Sequence, residues 1–280
     1  MRRREFIASV AALGAWSASV RAQQPQRLRK LAIIMAAGKT PEYVAAVAAL
    51  EQALGSLGWK NGENLQIDER WSAGSEDGAR SAAREIVASN PDIILGQSAA
   101  VIEALQSATR TTPIVFLHVA DPAVYGFVSN LARPEGNLTG ITNIVPSIGA
   151  KWLQLLKEIA PAVTRPTMLV NPDTQPDRGA IFLTPFQGAA RSLGRDRLPA
   201  SFFGRESVEA GLLMSYGTSI ADMFRQVGLY TGSILNGAKP ADLPVLQSTK
   251  FEFVINLQTA RSLQINVPPT LLARAEGVIE

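Results

Sequence analysis

Residue types able to do chemistry collect at three strand-to-helix turns of this chain. At the first, Gly38-Lys39-Thr40 has the glycine–lysine–hydroxyl order that holds phosphate in nucleotide-binding loops. Such a loop also needs a glycine five positions before Gly38, so that successive amides can wrap the phosphate. Ile33 stands there, inside an apolar run, and the loop is too short for nucleotide hydrolysis. At the second turn, Gly96-Gln97-Ser98-Ala99-Ala100 approaches a nucleophile elbow, with Ala100 where glycine is usual. A serine nucleophile needs a base, and His118 is the only histidine in the chain. Asp121 follows it by only three residues, against the serine–acid–histidine order of hydrolases built on this elbow. His118 reads more simply as a polar residue at a strand terminus. No catalytic residue is assigned, and the chain is not expected to be an enzyme; an exported serine hydrolase stays as a minor alternative.

The same turns suit binding better than catalysis. In an open α/β sheet, ligands sit beyond the carboxyl ends of the strands. A helix beginning at Ser98-Ala99 would offer a carboxylate its unpaired amides and the positive end of its dipole. The Ser98 hydroxyl would either join those amides or simply cap the helix. At the third turn, Asp121 precedes Pro122. It would either cap a helix starting at Pro122 or accept a charge-assisted hydrogen bond from a ligand ammonium group. One anion-accepting turn and one carboxylate together fit an amino-acid zwitterion. Gly38 lies on the same rim. Asn143 and Asn171, the latter before Pro172, would face the same cleft, though such asparagines also serve as plain turn residues. Zero cysteines and one histidine exclude thiolate and polyhistidine metal sites, so neither metal nor cofactor is expected.

Positioning these turns requires strands and helices in regular succession. The pattern predicts strands over 31–36, 65–71, 92–95 and 113–118, alternating with helices over 42–57, 75–89 and 99–109. That alternation implies a parallel sheet with helices on both faces. After the turn-rich Ala132–Asn137, an extended stretch over 138–143 leads into a second region. There the expected elements are helices over 148–159, 179–193 and 220–235, and strands over 167–170, 198–203, 212–216 and 251–257. Short helices over 259–263 and 269–273 follow. This second region is visibly thinner than the first.

Composition agrees with a globular chain: 280 residues, 46% apolar and 18% charged. Residues 1–22 hold Arg2, Arg3, Arg4 and Arg21 against Glu5, which accounts for the whole net charge of +3. The balanced remainder has no global field to draw nucleic acid or an anionic membrane. The charge-free run Ile7–Val20 is too short to cross a bilayer that needs roughly 20 apolar residues. With Arg3-Arg4-Glu5-Phe6-Ile7 before it, the terminus resembles a twin-arginine export signal cleaved after Ala22. The mature chain is expected in the periplasm, without stable membrane insertion, as a monomer.

Longer stretches carry a family likeness. They are Thr112–Phe116, Asp121-Pro122, Leu131–Gly140, Asn171-Pro172, Val208–Gly217, Gly237–Pro244 and Thr249–Leu257 through Pro268-Pro269. In this order they resemble the periplasmic substrate-binding proteins of ABC importers, in particular the group associated with aromatic amino acids such as tryptophan. The resemblance implies two α/β lobes of parallel sheet that close on a small ligand by a hinge, and an importer permease as partner. It implies an N-terminal lobe of 23–142 plus 217–245 and a C-terminal lobe of 143–216 plus 246–280. Ser215 and Tyr216 lie in one of the matching stretches and join Gly38, Ser98, Ala99, Asp121, Asn143 and Asn171 as expected ligand-facing residues. One departure stands out: family members carry roughly fifty further residues, about two βα units, where this chain runs through 194–197. The second lobe is therefore expected to be truncated. That departure also raises an alternative function, a decayed or non-transporting binding or sensor protein.

Overall fold

Alternate side chains of β1 (Arg29–Met35) point into two different cores. Leu31, Ile33 and Met35 belong to one apolar cluster, Ala32 and Ile34 to the other. A strand buried on both faces in this way needs helices on both sides of its sheet. The computed structural model describes residues 27–71, 75–143, 148–162, 201–202 and 204–280. The expected signal, the elements over 167–170 and 179–193, Asn171 and the shortened stretch at 194–197 lie outside them.

The first sheet has six strands in the order β2-β1-β3-β4-β5-β8, all parallel. Its strands are β2 (Leu65–Trp71), β3 (Ile93–Gln97), β4 (Ile114–Val119), β5 (Leu138–Thr142) and β8 (Leu246–Gln247), with β1. Helices α2 (Glu76–Ala88) and α3 (Ala99–Ala108) cover one face. Helices α1 (Pro41–Ser56) and α6 (Ile220–Leu235) cover the other, where Leu50 and Leu54 meet Met223, Phe224 and Val227. Thr40 caps α1 and Pro41 opens it, while Gly58 at φ +90° ends it in a Schellman turn, with the Trp59 amide donating to Leu54. Gly228 lets α6 approach α1 closely: a Cβ there would sit 2.7 Å from the Leu50 carbonyl oxygen.

Among the described residues the second sheet has four strands, in the order β10-β9-β7-β6. They are β6 (Ser201–Phe202), β7 (Met214–Thr218), β9 (Phe251–Asn256) and β10 (Gly277–Ile279). Helix α4 (Ile148–Ile159), the short α5 (Arg205–Glu209), α7 (Leu257–Ser262) and α8 (Pro269–Leu272) accompany it. Leu155, Leu156 and Ile159 of α4 pack on Leu213, Met214, Phe253 and Ile255. Here the all-parallel expectation needs correcting: β6/β7 and β9/β10 are parallel, but β7 and β9 are antiparallel. The reason is the chain path. β7 leads out toward α6 on the first sheet and β9 leads back, so the neighbours run in opposite directions.

The passages between the sheets are tied together. The Ser248 amide donates to the Thr142 carbonyl at 2.9 Å, and the Ser219 amide to that of Lys250 at 2.9 Å. No helix among the described residues is long and apolar enough to cross a membrane.

Candidate functional site

The ends of β1, β3, β4 and β5 are neighbours in the first sheet, so Gly38, Ser98, Ala99, Asp121 and Asn143 share its carboxyl rim. Gly38 is exposed in the β1–α1 loop, with open space where a side chain would project. Ser98 takes φ 87°, a left-handed value rare for a residue with a Cβ. Its amide donates to the Leu117 carbonyl, and its hydroxyl accepts from Val101 at 3.5 Å. Ala99 opens α3, where first-turn amides lack intrahelical acceptors.

The segment after Asp121 is a turn rather than the helix expected from Pro122. Asp121 Oδ1 accepts from the amides of Ala123 and Val124 at 3.0 and 3.2 Å. Those two bonds, with the Phe127 amide on the Pro122 carbonyl at 2.9 Å, close the chain before a helix can propagate. Among the described residues Oδ2 accepts nothing, which leaves one oxygen of the carboxylate for a ligand. Asn143 is buried, and among the described residues its Oδ1 has no hydrogen-bond partner.

Ser215 and Tyr216 lie on β7, in the other sheet. Ser215 is buried, opposite Val254 in the antiparallel ladder. The Tyr216 ring stacks on Phe251 with centroids 5.3 Å apart, and Trp152 Nε1 donates to its carbonyl at 2.6 Å. Burial raises its hydroxyl pKa above the ordinary tyrosine value. Ala120, next to Asp121, belongs to the same apolar group, so this aromatic cluster adjoins the rim.

Sequence reasoning passed over the groups that hold the rim in place. Gln97 Oε1 accepts from the Ala37 amide at 3.1 Å, and Nε2 lies 2.9 Å from His118 Nδ1. Because that amide nitrogen can only donate, Nδ1 is the acceptor and the ring proton sits on Nε2. Burial holds His118 neutral, its pKa lowered to about 4. It sits at φ 55° on a bulge of β4, edge-on to Tyr43. Ser98 and His118 therefore face different partners, Val101 and Gln97, not each other as a hydrolase would require. The available signal was a polar residue, Gln97, closing an otherwise apolar strand. Among the described residues no three or more potential metal-ligating side chains gather. A surface depression of about 360 Å³ beside Trp59 and Lys60 includes Leu65, the start of β2, and so lies at the opposite end of the sheet from the rim.

This geometry has relatives. A protein from Clostridioides difficile described as a tyrosine-binding protein is 24% identical over 271 residues, 80% of this chain and 78% of its own length. An ABC domain from Streptococcus pneumonia, solved in complex with L-Trp, superposes with a TM-score of 0.80 at 22% identity, over 90% of this chain and 99% of that one. A conserved domain protein from Vibrio cholerae gives 0.74 at 25% identity, over 90% and 100%. The family model for ABC transporter substrate binding proteins matches residues 31–184 and 190–279. The chain belongs to the family of ABC transporter substrate-binding proteins.

Proposed function

We propose that this protein binds a small amino-acid-like solute, aromatic ones included, in the periplasm and hands it to the permease of an ABC importer. The observation that carries the reading is the pairing on one rim of the α3 amino terminus with the unengaged Asp121 Oδ2. A carboxylate at the Ser98 turn and an ammonium group at Asp121 would each meet complementary charge. The tyrosine-binding relative and the L-Trp complex support the same ligand class. The arginine-led terminus supports export. In this reading the lobes are 23–142 with 217–245 and 143–216 with 246–280, and the protein acts as a monomer. Ligand docks on the first lobe, and the second swings over it about the passages beside Thr142, Ser219 and Ser248. Closure is stabilised by the contacts a ligand makes only in the closed form.

Calorimetric titration of the mature chain with tyrosine, tryptophan and branched amino acids tests this. Heat of binding is expected with at least one of them, and markedly less with its des-amino analogue. Silence with every amino acid would remove the reading. A second reading, a binding protein no longer coupled to transport, draws on the shortened second region read from the sequence. It is favoured if the protein binds its ligand yet fails to restore uptake in a strain lacking its nearest paralogue.

A further inference from the structure

We propose that the passages between the two sheets form a hinge with two hydrogen-bonding states, in which the side chains of Asn143, Thr218 and Ser248 lack partners in the present conformer and gain them in the other. The inference rests on the two-lobed closure proposed above, but it requires no ligand. Each of the three passages carries one of these residues. Asn143 follows the end of β5, Thr218 ends β7, and Ser248 follows β8. They are 4%, 4% and 2% exposed. Among the described residues Asn143 Oδ1, Thr218 Oγ1 and Ser248 Oγ have no hydrogen-bond partner.

Their neighbours, by contrast, are held. The Thr142 hydroxyl donates toward the Val119 and Ala120 carbonyls, 2.8 and 2.7 Å away. The Ser219 hydroxyl caps α6 by accepting from the Asp222 amide at 3.4 Å. Backbone bonds from Ser248 to Thr142 and from Ser219 to Lys250 set the three passages side by side. Thr142 is opposite Gln247, so continuing that parallel register places Asn143 beside Ser248. In two passages an anchored polar side chain thus adjoins an unanchored one: Thr142 by Asn143, and Ser219 by Thr218. The anchors tie the chain to the first sheet and to α6. A change of direction between the lobes therefore falls on the residues beside them.

A buried polar atom without a partner costs more than a made hydrogen bond returns, and native folds keep few of them. Packing within either sheet does not explain why one should stand at each point where the two sheets join. Rotation about the passages explains it, because it changes what faces all three residues at once. The cost then belongs to one conformer alone. It opposes the present conformer and favours the other, where carbonyls or water meet the same atoms. Removing one of these hydroxyls relieves the present conformer and takes a bond from the other. Populations should shift toward the present conformer by about five- to a hundredfold per residue, the cost of one unsatisfied buried group.

The chain has no cysteine, so Arg84→Cys on α2 and Arg261→Cys on α7, both exposed positions, place one spin label on each lobe. The distribution of distances between them is read in the ligand-free mature protein. The parent should populate two separations. Thr218→Val and Ser248→Ala should each enrich the one that matches the present conformer, and the double variant should enrich it further. Thr231 supplies the control: its hydroxyl is also buried without a partner among the described residues, but it lies midway along α6, within one lobe. Thr231→Val should raise the melting temperature and leave the distribution as in the parent. A parent with a single separation, variants that match the parent, or a Thr231→Val shift as large as theirs would overturn the proposal. Amino-acid binding with unshifted variants would sink the two hinge states and leave the binding function standing. Shifted variants without amino-acid binding would do the reverse.

Discussion

The two sheets support the candidate rim in different ways. In the first, β3 and β5 are buried along their whole length, and helices cover both faces of six parallel strands. In the second, the four strands among the described residues include an antiparallel pair, and β6 and β10 are two and three residues long. Its link to the rim is the aromatic group of Trp152, Tyr216 and Phe251 around Ala120. The contrast teaches where precision resides. Ser98, Asp121 and Asn143 end strands whose positions are fixed by a continuous core. Tyr216 rides on the second sheet, which connects to the first through the passages between the two.

The sharpest way to break the comparison is to add bulk at matching points. A Cβ at Gly140 in β5 would overlap the Phe116 carbonyl oxygen and ring, both held in the middle of the first sheet. Gly140→Val should therefore cost about 3 kcal/mol or more in urea unfolding, the upper end for overpacking. On the rim itself, Asp121→Asn should weaken amino-acid binding about ten- to a hundredfold, the loss of a hydrogen bond to a charged partner. Calorimetry should show the des-amino analogue unaffected, which separates a binding role from a turn-capping one.

At the opposite end of the same sheet, Asp92 accepts from Arg29 at 2.7 Å and from the Lys30 amide at 2.9 Å. Burial alone would raise its pKa, but these bonds and the nearby charge of Arg27 hold it below 3.8. A depressed carboxyl stabilises the fold above its unfolded value and ceases to do so as pH falls through the folded one. Asp92→Asn should thus cost about 1 kcal/mol at neutral pH, discounted because both arginines are exposed. The difference from the parent should start to shrink as pH falls below 3.8 and vanish only once pH has passed the lower folded value, as followed by urea midpoints. The smallest effect belongs to the second sheet's edge. At Gly277 in β10 a Cβ would meet Arg205 at 3.2 Å and Val254 at 3.5 Å, a flexible side chain and an ordinary contact. Gly277→Ala should stay within about 0.5 kcal/mol by the same measurement. Equal costs at Gly140 and Gly277 would contradict the account of two unequal supports.

The sequence made the first sheet legible because its signals are local. Ile93-Ile94-Leu95 and Ile114-Val115-Phe116 read as strands buried on both faces, and 65–71, 148–159 and 220–235 match the observed β2, α4 and α6. Elsewhere bounds moved by a residue or two, as at β7, expected over 212–216 and found over Met214–Thr218. What escaped depends on partners far away in the chain. β8 is two exposed residues that become a strand only by pairing with β5, and β10 is defined by β9. Strand direction in the second sheet follows from the path of the chain rather than from any residue. The rim was readable from Ser98 and Asp121, because polar residues at strand ends announce themselves. The Gln97–His118 pair was not, since the hydrogen bond joins two strands and nothing in the spacing requires it.

Helix α6 covers β4 and β5 from a position late in the chain, and this imposes an order on synthesis. A ribosome that has made every residue through Thr142 has supplied five of the six strands of the first sheet, yet not α6, which completes the cover that α1 begins on one face. Val115, Leu117 and Ile141 then await Met223, Phe224 and Val227. The nascent protein must therefore carry an uncovered greasy surface while residues 143–235 are made, and chaperones have that interval in which to hold it. Neither half can reach its final form before nearly the whole message has been read. An export route that accepts only finished folds would have to wait for the last strands, whereas one that threads loose chains would find this protein conveniently late to close.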